Sequence, residues 1–171
     1  MTEPNEARLL DWVPRLRRYA RALLRHPDDA DDLVQATLER AWSKAGQWPK
    51  VTDMRAWLFT LMHNLYVDQL RRPTLTLVQL EDDVADAAAT TTPHDTHASL
   101  LDLKAALEQL PADQKEIILM VALEDMSYAE VAKTVGIPMG TVMSRLSRAR
   151  ERLRDLMDGT HTRGTPLKRV K

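Results

Sequence analysis

Residues Ser127 to Leu153, SYAEVAKTVGIPMGTVMSRLSRARERL, decide the fold, because they read as helix, tight turn, helix. Ser127 suits an N-cap and Glu130 follows three residues later, the spacing of a capping box in which two orphan amides are satisfied reciprocally. Val131, Ala132 and Val135 supply an apolar stripe, and Gly136 is the residue type that takes a left-handed conformation at a helix end without a Cβ clash. Pro138 cannot continue that helix but fits the opening turn of a second one. There Val142, Leu146, Ala149 and Leu153 recur at helical spacing and face inward, which leaves Thr141, Ser144, Arg145, Arg148 and Arg152 on the outer face. Guanidinium forks reach phosphates or guanine edges and hydroxyls take either role, so this face suits the second helix of a DNA-binding helix-turn-helix. A solvated arginine-rich face on an ordinary helical hairpin has the same composition. Order and spacing favour DNA.

At 171 residues the chain has room for one ordinary domain or two small ones, and two small ones are expected. Cysteine is absent, which excludes disulfides, thiolate zinc sites and a cysteine nucleophile and fits a reducing compartment. No apolar run approaches the roughly 20 residues that span a bilayer. The start, MTEPNEARLL, lacks the basic residues and apolar core of a signal peptide, so a cytoplasmic protein without membrane insertion is expected. The net charge of -1 conceals a segregation. Glu81, Asp82, Asp83, Asp86 and Asp95 lie between Pro73 and Ala98 with no lysine or arginine, whereas Arg145, Arg148, Arg150, Arg152 and Arg154 have only Glu151 as an acid between the first and last of them.

Towards the N-terminus the helical period appears three times. Arg8 to Arg25 places Val13, Leu16, Ala20, Leu23 and Leu24 on one stripe, with Arg15, Arg17, Arg18 and Arg21 around it, and stops near Pro27. Asp28 to Ala45 puts Ala30, Leu33, Val34, Thr37, Leu38, Ala41 and Trp42 inward, with Asp28 and Asp29 at the positive end of the helix dipole. Asp31, Asp32, Gln35 and Glu39 remain outside, either as a solubilising face or as a dock for a basic protein. Ser43 to Asp53, SKAGQWPKVTD, breaks the period at Gly46 and Pro49 and reads as a loop. From Met54 to Arg72 the period returns, with Trp57, Leu58, Leu61, Leu65 and Leu70 inward and Arg55, Thr60, His63, Asn64, Arg71 and Arg72 outward. Trp48 beside Lys50 has the composition of a base-stacking platform, although the residues alone favour a tryptophan folded back as a lid.

Pro73 to His97 contains TTTP, AAA and scattered acids with little apolar periodicity and reads as a flexible acidic linker, residues 73–98. Ser99 opens a helix through Leu110 with Leu100, Leu103, Leu107 and Leu110 on a stripe, and Asp113 to Leu123 forms a second, more buried helix. The fold class expected is all-α: a three-helix module over 1–72, a helix-turn-helix module of four helices over 99–158, and a basic tail over 159–171. The five glycines form no phosphate loop or dinucleotide fingerprint, and His94 and His97 lack the further ligands of a zinc site. The expectation is a protein that is no enzyme and needs no metal or cofactor.

In this order and spacing the two modules resemble an extracytoplasmic-function (group 4) sigma factor of bacterial RNA polymerase over nearly the whole chain. DADDLVQATLERAW, Asp29 to Trp42, resembles the region 2 helix that binds the clamp coiled coil of the polymerase largest subunit. MRAWLFTLMHNLYVDQLRR, Met54 to Arg72, is similar to the segment that melts and reads the -10 element. Leu110 to Leu153 resembles region 4, which reads the -35 element as duplex. The resemblance implies as partners core RNA polymerase, through the clamp coiled coil and the flap, together with promoter DNA and an anti-sigma factor.

It also implies residue roles. Asp31, Asp32, Gln35 and Glu39 become candidates for polymerase contact, although Ala36 stands where the family often has an acid. Trp48 and Lys50 rise to candidate contacts for a flipped -10 base, and Asn64 matches a base-discriminating position, with His63, Arg71 and Arg72 beside it. Met143 departs from the arginine or lysine of many members and cannot donate hydrogen bonds, so the -35 preference is expected to differ. Two other classes share parts of this architecture. A helix-turn-helix regulator would carry a receiver or ligand domain in its N-terminal half, and none is visible. A sigma-like adapter that binds an anti-sigma factor without using DNA would carry an additional receiver domain, for which this chain has no room.

Overall fold

The computed structural model describes residues 9–72 and 94–162. Residues 1–8, positions 73–93 of the expected linker and 163–171 of the expected basic tail lie outside the described residues. Within them the order is α1 (Val13–Leu23), α2 (Pro27–Ser43), a 3-10 turn (Ala45–Lys50), α3 (Met54–Arg71), α4 (His94–Glu108), α5 (Ala112–Glu124), α6 (Tyr128–Val135) and α7 (Met139–Thr162), with no strand among the described residues.

In the first module α1 packs on α2 and α2 on α3. Leu16, Tyr19, Ala20, Leu23, Leu33, Val34, Leu58, Phe59 and Met62 close its core, and Tyr19 meets Phe59 edge to face at 5.0 Å, a favoured aromatic geometry. Asp53 caps α3 by accepting the Ala56 amide at 3.1 Å. Two residues expected inward are exposed. Trp42 is 53% exposed because the inward stripe of α2 ends at Ala41, and Leu70 lies beyond Tyr66, the last buried residue of α3.

In the second module α4 starts at His94 rather than Ser99, so part of the expected linker is helix. Only the later half of its expected stripe is inward: Leu107 packs against the core and Leu110 is buried, joined by Ala106, whereas Leu100 and Leu103 face solvent. Ile117, Leu119 and Met120 bury α5, which ends with Asp125 in the left-handed region at φ 51° and the Met126 amide donating to the Met120 carbonyl at 3.3 Å. The capping box of α6 is formed: the Glu130 amide donates to Ser127 Oγ at 3.3 Å and the Ser127 amide to Glu130 Oε2 at 2.7 Å. Gly136 ends α6 at φ 72°, as its position in the turn demands. Val142, Leu146 and Ala149 then bury the inner face of α7.

The linker expected over 73–98 would let partners reposition the modules, and in this structure the modules pack together, α1 against α5 and α3 against α6. Three carboxylates of the second module line this seam and each meets a basic side chain of the first. Glu124 is fully buried and accepts from Arg15 Nε at 3.0 Å and Arg18 Nη2 at 3.1 Å. Glu116 Oε1 lies 2.6 Å from His63 Nδ1, and Arg55 pairs with Glu130 while donating to the Glu124 carbonyl at 3.0 Å. Burial, with the Glu116 charge beside them, raises both phenols at this seam, Tyr19 well above its ordinary value and Tyr66 to about 12. Tyr19 therefore stays a neutral donor, its hydroxyl reaching the Glu116 carbonyl at 3.4 Å.

Candidate functional site

Three outward helix faces and one loop hold the residues singled out by sequence. On α2, Asp32, Gln35 and Glu39 fall at helical spacing on the exposed side, and Gln35 Nε2 donates to Glu39 Oε1 at 3.0 Å. Asp31 does not join them. It is paired with Arg17 Nε at 3.4 Å and Arg21 Nη2 at 3.2 Å, because it sits on the flank of α2 that adjoins α1. Its role here is to tie two helices.

In the loop, Trp48 is only 5% exposed and its Nε1 donates to the Ala41 carbonyl at 3.0 Å. Trp42 covers it edge-on, with ring centroids 5.9 Å apart. A base cannot stack on Trp48 in this arrangement, so the implied contact reverts to a lid and Lys50 is left as the exposed candidate of the pair. On α3, Asn64, Arg71 and Arg72 are exposed, but His63 is turned into the seam by Glu116 and is not available beside them.

On α7, Ser144, Arg148 and Arg152 are exposed and Thr141 is half-buried. Ser144 Oγ donates to the Thr141 carbonyl at 3.1 Å, and Arg148 Nη2 donates to Ser144 Oγ at 3.4 Å, so one turn of the helix presents a linked polar strip. Arg145 departs from the expected face. Its Nε lies 3.2 Å from Asp113 Oδ2 in the first turn of α5, since its position on α7 adjoins the buried stripe of Val142, Leu146 and Ala149. Met139 and Met143 are exposed at 51% and 50%.

Sequence reading missed the seam. A signal was present: Glu116, Met120 and Glu124 recur at i, i+4 and i+8, which puts two carboxylates on one side of a helix that is apolar from Ile117 to Leu123. Among the described residues no group of three or more His, Asp or Glu is placed to hold a metal ion, and no helix is long and apolar enough to cross a membrane.

Residues 9–63 match the family described as the Sigma2 domain of PhyR, and residues 100–153 match Sigma-70, region 4. The ECF RNA polymerase sigma factor EcfG of Rhodopseudomonas palustris (strain TIE-1) is 32% identical over 157 residues, covering 92% of this chain and 87% of that protein. The chain belongs to the ECF RNA polymerase sigma factors. A second member, SigL of Mycobacterium tuberculosis (strain ATCC 35801 / TMC 107 / Erdman), is 36% identical over 146 residues, covering 81% and 80% of the two chains. Among solved structures, the sigma factor RpoE of Bartonella quintana in complex with the anti-sigma factor NepR matches with a TM-score of 0.76 at 34% identity, covering 91% of this chain and 98% of that one. In this ECF sigma factor the region 4 match takes in α5, α6 and α7 as far as Leu153, so the helix-turn-helix with its capping box and Gly136 turn belongs to region 4.

Proposed function

We propose that this ECF sigma factor binds core RNA polymerase through Asp32, Gln35 and Glu39 of α2 and directs initiation at promoters whose -35 duplex is read by α7. Lys50, Asn64, Arg71 and Arg72 supply the contacts to the melted -10 strand. The observation that carries this reading is that one chain presents an acidic stripe on α2 and a hydroxyl and guanidinium strip on α7, each exposed on the side of its helix away from the core. Neither strip can break or form a bond, so the protein acts as a specificity subunit of the polymerase rather than as an enzyme itself. Its work is done where the polymerase is, in the cytoplasm.

Anti-sigma control follows from the same layout. NepR binds RpoE, the structural relative described above. A protein of that kind holds this sigma factor inactive by keeping the seam closed, because the -10 helix α3 and the helix-turn-helix are then locked together through Arg55 and Glu130.

The test is transcription in vitro with purified core polymerase and a library of upstream fragments. Discrete transcripts that require this protein are expected. Binding to core without promoter selection would leave a polymerase-binding adapter, and failure of both would remove the reading.

A further inference from the structure

We infer that Met139 and Met143 make this protein a reader of thymine 5-methyl groups in the -35 duplex. The inference rests on the assignment of α7 as the helix that enters the major groove. The N-terminal residues of such a helix contact base edges. In α7 those residues are Met139, Gly140, Thr141, Met143 and Ser144, with Val142 turned into the core.

Two half-exposed methionines at i and i+4 lie one above the other on the helix surface and form a small apolar patch. Gly140 carries no side chain, and a Cβ there would meet nothing within 4 Å, so no bulk beside the patch holds the helix away from the bases. The first cation of α7, Arg145, is held by Asp113, and the next, Arg148, lies almost a turn farther along. The start of the helix therefore offers apolar surface and hydroxyls rather than a guanidinium fork.

Thymine is the base that presents an apolar group in the major groove, its C5-methyl, and guanine is the base that a fork would select. A thioether on three rotatable bonds adapts its shape to such a methyl. Ser147, exposed one turn beyond Met143, is left to bond neighbouring donor or acceptor atoms, whereas Ser144, whose proton goes to the Thr141 carbonyl, can only accept. A preference for thymine at one or two -35 positions is the consequence.

The experiment uses holoenzyme assembled from the full chain and core polymerase. Duplexes are selected from a pool with a randomised -35 segment, and each thymine of the selected sequence is then replaced by deoxyuridine, which pairs alike but lacks the methyl. Removing a contacted methyl is expected to weaken binding about fourfold, the worth of one buried carbon. Met143→Ala and Met139→Ala should each abolish the thymine-to-deoxyuridine ratio at one position, Met143→Leu should keep it, and Arg148→Ala should weaken all duplexes while leaving the ratio intact.

Sequence-selective binding with no methyl dependence overturns the inference and leaves the -35 reading standing. Loss of all duplex selectivity in the intact holoenzyme overturns both. Methionine variants that lose affinity for core polymerase, with an unchanged methyl ratio, would assign the patch to a protein contact and overturn it as well.

Discussion

The seam between the modules and the outer strip of α7 use arginine in opposite ways. At the seam Arg15, Arg18 and Arg55 each meet a carboxylate or carbonyl, and Glu124 between them is fully buried. On α7, Arg148 touches only a serine hydroxyl, and no carboxylate pairs with Arg148 or Arg152 among the described residues. A guanidinium marks a binding face by what it lacks rather than by its presence. Arg145 makes the point within a single helix, since Asp113 turns an arginine of the recognition helix into a structural one.

The sharpest way to break this contrast is at Glu124. Replacing both Arg15 and Arg18 by alanine leaves a buried carboxylate with neither of its guanidinium partners, which should cost about 3 kcal/mol, the low end for a broken buried pair because both arginines are partly exposed. Denaturant unfolding should show that loss, and small-angle scattering should show the modules separating. A loss under about 1 kcal/mol would mean that the seam behaves like a solvated surface pair.

The second contrast lies within α2. Asp32→Lys with Glu39→Lys should weaken core polymerase binding by about 2–3 kcal/mol, because like charges would face a surface suited to acids, while stability changes by no more than about 0.5 kcal/mol. Asp31→Lys should do the reverse, costing up to about 1 kcal/mol of stability through Arg17 and Arg21 and leaving core affinity nearly unchanged. Equal effects of the two variants on core binding would erase the distinction between stripe and strut.

These residues also explain what was legible in the sequence. Caps and periods are local, so the helix-turn-helix, its capping box and its glycine turn could be read from neighbours in the chain. Partners were not local. Arg145 meets Asp113, His63 meets Glu116 and Arg15 meets Glu124 across long stretches of chain, and helical phase alone counts all three basic residues as exposed. Trp42 and Trp48 failed for a related reason: phase places a side chain on a face but says nothing about where the face ends or what folds over a loop.

A smaller effect separates Arg148 from Arg145. Arg148→Ala should weaken binding to every duplex by about 1 kcal/mol and lower the salt slope by about one ion, as the loss of a phosphate contact does. Arg145→Ala should leave the salt slope unchanged and cost only a few tenths of a kcal/mol of stability, the worth of a partly exposed pair. Isotherms of the holoenzyme at several salt concentrations measure both, and an equal fall in slope would return Arg145 to the DNA face.

The smallest effect is a test of the seam by pH. The Ser127 amide, then the Ser127 hydroxyl, and then Arg55 hold the Glu130 carboxyl below its ordinary value of 4.5, against a modest opposing effect of burial. Folding thus favours the ionised form, so the contribution of Glu130 is complete above 4.5 and fades as pH falls through the lowered folded value. Glu130→Gln keeps the shape and much of the capping bond but removes the charge. Its deficit against the native protein should be a few tenths to about 1 kcal/mol near neutral pH, where a partly exposed pair and a cap are both weakened. The deficit should vanish in acid, where the native glutamic acid is neutral too. Ser127→Ala removes only the hydroxyl half of the capping box, at about 1 kcal/mol, and leaves both the residue 127 amide and Arg55 on the Glu130 carboxylate, so the acid sensitivity should largely persist. A deficit for Glu130→Gln that persists unchanged into acid would show that the charge of Glu130 holds neither the helix-turn-helix nor the seam.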